Sequence, residues 1–142
     1  MRLAYLPHII AALALSAASR AAEPTADLLV SVASYHWDRN GQDEVNPGLG
    51  LSMGYRFTSV EPYVAGMAYR DSHGSAAQVA VAGLRYDLTT WAGLDLAAGY
   101  LHSSTYEGPG VIPGVYVGSG PVRACVSVLG TRALGFTVRW SL

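Results

Sequence analysis

Asp71, Ser72 and His73 follow one another in the sequence, and His36 lies at the end of an earlier alternating stretch. These residue types are the ingredients of acyl chemistry, in which an imidazole removes a proton from a hydroxyl and a carboxylate orients or balances the imidazole. A second group, His102-Ser103-Ser104 with Glu107, offers a comparable set. Residues of these kinds are common in solvated loops, so only their meeting in space turns them into a site. Metal chemistry is not expected. The single cysteine, Cys125, allows neither an internal disulfide nor a cysteine cage, and His8, His36, His73 and His102 show no ligand spacing. No redox, metal or nucleotide cofactor is expected.

The elements that hold these residues are constrained by composition. The chain has 142 residues, of which 51% are hydrophobic and only 13% charged, with 16 Gly, 7 Pro and no Lys. Soluble domains carry roughly 25% charged residues, so half the usual water-facing charge is missing. The same numbers exclude intrinsic disorder, and a net charge of −1 leaves no basic footprint for nucleic acid. Residues 1–21 read as a secretory signal peptide. Arg2 supplies the positive start, Ile9 to Ala18 the apolar stretch, and Ser19-Arg20-Ala21 the small-x-small cleavage site. Beyond them no uncharged run reaches the roughly 18 residues of a transmembrane helix. The mature domain, residues 22–142, is thus too apolar for water and lacks a spanning helix.

Period two dominates that domain. Leu134, Phe136, Val138, Trp140 and Leu142 alternate with Ala133, Gly135, Thr137, Arg139 and Ser141. Leu49 to Phe57 alternates against Gly48 to Arg56 in the same way, and so do Tyr63, Ala65, Met67 and Tyr69 against Pro62, Val64, Gly66, Ala68 and Arg70. Turn signals divide the chain into eight strands, at about 27–37, 47–57, 60–70, 77–87, 92–102, 111–118, 121–129 and 133–142. Short and long connections alternate, as in outer-membrane barrels. The expected fold is all-β: an eight-stranded antiparallel up-and-down transmembrane β-barrel in the bacterial outer membrane, present as a monomer. A soluble lipocalin-like barrel would turn the large apolar set inward, where an eight-stranded interior is too narrow for it. Tyr35, Trp37, Tyr63, Tyr69, Tyr86, Tyr100 and Trp140 fall near strand ends, as interfacial girdles require. The terminal Trp140-Ser141-Leu142 resembles the signal read by the outer-membrane assembly machinery, which is an expected partner.

With the N-terminus on the periplasmic side, each inward charge acquires a depth. Arg56, Arg85, Asp95, Arg123 and Arg139 all fall in the periplasmic half and predict a hydrogen-bonded polar floor, since an unpaired buried charge is very costly. Above it, Val32, Gly48, Gly50, Gly66, Ala68, Val79, Val81, Gly99 and Leu101 predict a smooth lining, either a solid core or a dead-end slot for a hydrocarbon chain.

Three stretches of the mature chain resemble the lipid A palmitoyltransferases of the PagP type. Gly66-Met67-Ala68-Tyr69-Arg70-Asp71-Ser72 is similar to the family's Ala-Met-Ala-Phe-Lys-Asp-Ser segment, so Asp71 and Ser72 fall on its catalytic pair. Gly83 falls, without a gap, on the glycine that floors the family's hydrocarbon ruler, beside Val81 in the expected slot. PGVYVGSGPV, Pro113 to Val122, is similar to Pro-Leu-Ala-Ser-Val-Gly-Tyr-Gly-Pro-Val, and Pro121 matches a proline at a lateral gateway for lipid. Pro47 matches a proline of a second gateway. The family's histidine corresponds in the ungapped reading to Val32, four residues before His36. The resemblance implies transfer of an acyl chain from a phospholipid to a lipid A hydroxyl, with His36 as base, Asp71 as its orienter, Ser72 assisting, and Val81, Gly83, Pro47 and Pro121 in contact with substrate. The alternative is a non-catalytic surface barrel that binds through its loops or serves a structural role. A third reading follows from His102-Ser103-Ser104, whose His-x-Ser spacing resembles that of the outer-membrane lipid A deacylases.

Overall fold

A computed structural model of the protein describes residues 22–37, 45–130 and 133–142; the expected leader and cleavage site, at 1–21, lie outside the described residues. Eight strands follow in order: β1 (Glu23–His36), β2 (Val45–Arg56), β3 (Val60–Arg70), β4 (Ala76–Asp87), β5 (Ala92–His102), β6 (Glu107–Val117), β7 (Val122–Leu129) and β8 (Ala133–Ser141). Each pairs antiparallel with the next, and β1 pairs with β8, so the sheet closes into a barrel. Closure removes the unpaired edges that no bilayer tolerates. The turns at 57–59, 88–91 and 118–121 gather at one end with both ends of the described chain, and the connections at 71–75 and 103–106 gather at the other with His36, Val45, Leu129 and Ala133. These are the turn end and the loop end below. β6 starts four residues earlier than the sequence suggests, because Glu107 to Gly110 continue the ladder with β5.

The outer wall carries the large apolar side chains. Leu49, Leu51, Met53, Leu84, Leu96, Val111 and Phe136 are all exposed, and Tyr35, Trp37, Tyr86, Tyr100 and Trp140 sit near the strand ends. The small-inward rule fails on one strand. In β3 it is Tyr63, Ala65, Met67 and Tyr69 that face the lumen, while Val64, Gly66 and Ala68 face out. Tyr63 and Tyr69 therefore do not belong to the girdles. The reason lies in the neighbouring strand: Gly48, Gly50 and Gly54 of β2 stand directly beside Tyr69, Met67 and Tyr63. Three missing side chains on β2 make room for three large ones on β3, so lumen volume is conserved across the pair.

Charge fixes that choice of face. Glu61 shares the parity of Tyr63 and is 3% exposed, directly across from Arg85. The polar floor is more evenly balanced than the sequence reading implied: Asp27, Glu61, Asp87 and Asp95 face Arg56, Arg85, Arg123 and Arg139. Arg85, itself 3% exposed, donates to Asp27 at 2.9 Å, to Glu61 at 2.5 Å and to Ser52 at 3.1 Å, and stacks on the Tyr63 ring at 3.8 Å. Its Nε lies 3.6 Å from Asp95, which accepts the Tyr63 hydroxyl at 2.7 Å. Nearer the turn end, Arg56 bonds Glu61, and Asp87 takes both Arg123 and the Tyr116 hydroxyl.

Removing one partner of such a network leaves buried charge uncompensated, which costs about 3–5 kcal/mol. Arg85→Met is expected to destabilise the barrel by that amount in urea unfolding from vesicles. Leu51→Arg, on the lipid side of mid-strand β2, is expected to cost about 2–4 kcal/mol by the same measurement.

Candidate functional site

The loop end of β1 is re-aimed by a bulge. Asp27 and Ser31 are buried toward the lumen, so the odd residues of β1 point inward. The ladder then slips: Ser31 pairs with Thr137 of β8, and Ala33 with the adjacent Phe136, leaving Val32 as an extra residue. A bulge of this kind exchanges the faces of everything that follows. Val32, expected in the lining and matched to the family's histidine, is 46% exposed on the outside. Ser34 and His36 turn inward instead.

There they meet Ser72, which the chain delivers just past β3. His36 Nε2 lies 2.6 Å from Ser72 Oγ and 3.0 Å from Ser34 Oγ. Ser34 Oγ donates to Asn46 Oδ1 at 2.5 Å, and both Ser34 and Asn46 are buried. With its own proton committed to Asn46, Ser34 presents only lone pairs to the imidazole. The arrangement suits proton transfer. A neutral His36 with Nε2 unprotonated accepts from Ser72, and after the transfer Ser34 can receive the new Nε2–H. Neither Ser34 nor Asn46 was singled out from sequence. Ser34 becomes luminal only through the bulge, whereas Asn46 follows the regular inward parity of Gly48, Gly50 and Ser52 on β2.

Asp71 does not join this chain. Its Oδ1 accepts the backbone N–H of His73 at 3.0 Å and of Ser75 at 2.9 Å, closing the turn that carries Ser72. Its Oδ2 accepts the N–H and hydroxyl of Ser104 at 2.9 and 2.6 Å. Asp71 thus clamps the 71–75 connection on itself and latches it to the 103–106 connection, positioning Ser72 through the backbone. Burial pushes its carboxyl up, but the Ser104 hydroxyl and amide and the Ser75 and His73 amides outweigh that and hold it at about 2. The second sequence group disperses. His102 is exposed on the outer wall 3.7 Å from Glu107, Ser103 serves the local turn to Tyr106, and Ser104 belongs to the latch.

Of the residues expected against substrate, Val81 lines an internal cavity of about 120 Å³ between the rim and the polar floor. Gly83 lies just below it, under the ring of Tyr63: a Cβ there would stand 2.7 Å from that ring. The loop-end lumen departs from the lining expected from the sequence, whether as solid core or slot. Gly66 and Ala68 face outward, and the Leu101 and Leu129 side chains lie across Gly110 and Gly135. Pro47 is exposed where the β1–β2 ladder jumps from Ser31–Gly48 to Ala33–Val45. Pro121 lies at the turn end, its carbonyl bonded to Ser141. Among the described residues β6 and β7 pair only from Gly114–Ser127 to Val117–Ala124, and the part of β6 that holds Pro109 and Pro113 lies beyond that ladder. A proline removes a ladder donor.

Closed eight-stranded sheet, apolar outer wall and polar lumen belong together. The chain is a transmembrane β-barrel. No protein-family model matches the sequence, and no curated protein matches it significantly. Among solved structures the barrel is similar to a de novo designed transmembrane β-barrel, with a TM-score of 0.55 at 10% identity over 83% of this chain and 95% of that one. It is also similar to the Yersinia pestis outer membrane protein Ail, in complex with sucrose octasulfate and in a nanodisc, with TM-scores of 0.47 and 0.46. Both Ail matches are at 11% identity and cover 84% of this chain, and 95% and 100% of Ail. Likeness at these identities concerns the fold alone. Eight antiparallel strands closed behind an apolar belt are the architecture of bacterial outer-membrane proteins, and the outer membrane is where this barrel resides.

Because Asp71 titrates below the ordinary carboxylate value of roughly 3.9, its latch is fully present above that value and is lost as pH falls through about 2. A carboxyl-carbon NMR titration of Asp71 is expected to show no protonation at pH 4. Asp71→Ala is expected to speed amide exchange at His73, Ser75 and Ser104 while the barrel strands stay protected.

Proposed function

We propose that the barrel is an acyl-transfer enzyme of the outer membrane, of the lipid A palmitoyltransferase type, moving an acyl chain from a phospholipid to a lipid A hydroxyl. The observation that carries this reading is the 2.6 Å approach of His36 Nε2 to Ser72 Oγ at the loop-end mouth. The short ladder between β6 and β7 supports it, since a bilayer lipid reaches a lumen only through the wall. In this reading His36 is the general base, Ser72 supplies or relays the reacting proton, and Ser34 with Asn46 holds the charged imidazole. Asp71 is a positioning residue for Ser72. Val81 and Gly83 mark the deep end reached by the acyl chain, and Leu101 and Leu129 swing aside to admit it. Pro47 and the prolines of β6 mark where lipid passes the wall. The packing of Leu101 and Leu129 over Gly110 and Gly135 favours a second reading, a non-catalytic surface barrel whose loops bind a partner.

Mass spectrometry of lipid A separates the two. Expressed in a Gram-negative host lacking its own lipid A palmitoylation, the protein is expected to add one acyl chain. Ser72→Ala and His36→Ala are expected to abolish the addition. Loss of a general base typically costs a factor of about 10²–10⁴, and Asn46→Ala, acting one bond further away, is expected to cost less. Unchanged lipid A from a correctly inserted barrel sinks the enzyme reading, and loss of a chain supports deacylation.

A further inference from the structure

The cavity of about 120 Å³ below the rim has a mixed lining. Met67, Val79 and Ile112 are among its apolar groups, and its polar groups are Arg139, Thr137 and Ser127 on β7 and β8 and Tyr63, Arg85 and Asp95 on β3 to β5. Arg139 is 2% exposed, and its Nε and Nη1 are buried without a hydrogen bond. Its carboxylate neighbour Asp27 has Oδ2 3.9 Å from Nε, beyond hydrogen-bond reach. That carboxylate is already engaged by Ser52 at 2.8 Å and by Arg85 and Ser141 at 2.9 Å. Asp95 also faces the cavity; its Oδ1 accepts the Tyr63 hydroxyl, and its Oδ2 forms an ion pair with Arg85 at 3.6 Å rather than reaching Arg139. The Tyr116 ring, 4.9 Å from the guanidinium carbon, covers a face of Arg139 and supplies no acceptor. A buried cation with unmade hydrogen bonds is expensive. Arg85, whose Nε is likewise buried without a hydrogen bond, is nevertheless bonded to two carboxylates, whereas Arg139 has only the 3.9 Å approach of Asp27.

We infer that this cavity is a binding site for a short-chain carboxylate, its head against Arg139 and its alkyl tail toward Met67 and Ile112. The unpartnered N–H groups call for an anionic acceptor, and a charge-assisted hydrogen bond is stronger than a neutral one. The Thr137 and Ser127 hydroxyls on the same side can complete the shell of the head. Leu29, Ala65, Met67, Val79, Val81 and Ile112 supply the rest of the lining near the rim, so that part suits carbon, while Tyr63, Arg85 and Asp95 close the cavity toward the polar floor. A cavity of about 150 Å³ holds benzene, with six heavy atoms, so this volume suits a carboxylate of about four carbons, which has as many. The site is independent of the chemistry assigned to His36 and Ser72.

The test uses the full barrel in detergent micelles at constant ionic strength, with sodium butyrate as the probe and line broadening of its methyl resonance as the readout against empty micelles. Saturable binding of butyrate is expected, with butan-1-ol at least about tenfold weaker, the factor that one charge-assisted hydrogen bond provides. Arg139→Met is expected to abolish binding. Ala65→Leu fills the cavity without touching the guanidinium and is expected to abolish it as well, so the inference stays testable if the Arg139 variant fails to fold. The inference is overturned by butyrate that shows no saturation, by binding that survives Ala65→Leu, or by sodium chloride that competes with equal affinity and so marks an unselective anion site.

Discussion

Arg85 is the point on which the rest of the barrel turns. Its guanidinium ties Asp27 of β1, Glu61 of β3 and Asp95 of β5 to β4, so four of the eight strands are referred to one buried cation. In a wall that faces hydrocarbon, none of these four groups has an alternative outside, because a charge on the lipid side costs kilocalories. Each strand must therefore turn its charged parity inward, and a one-residue slip would expose the whole set.

That constraint reaches the rim along the strands. Glu61 inward means that Tyr63, Met67 and Tyr69 are also inward and that Asp71 arrives buried at the loop end. Asp27 inward means that Ser31 is inward, and an uninterrupted β1 would then carry Ser34 and His36 to the lipid side. The extra residue Val32 reverses the parity above the floor and brings both into the lumen, opposite Ser72. Charge pairing in one half and a single bulge in the other thus produce the Ser72–His36–Ser34–Asn46 chain. Arg139 is the remainder of the same network. It is held in place by closure between β7 and β1, and its acidic neighbour Asp27 is already shared among Ser52, Arg85 and Ser141.

The amino-acid sequence by itself determined the membrane, the strand count, the strand boundaries to within a few residues and the position of the polar floor. Those follow from local quantities: composition, period-two alternation and turn residues. It also brought forward His36 and Ser72 as residues with acyl chemistry. Only the tertiary structure decided which face of β3 points inward, because that depends on glycines of β2 standing beside Tyr63, Met67 and Tyr69, a fact of register between strands. It likewise decided that Asp71 latches two loops while Ser34 and Asn46 attend the histidine, and that Leu101 and Leu129 lie over Gly110 and Gly135. Alternation reports that a strand has two faces; which face is the inside is set by volume and charge shared with strands distant in sequence.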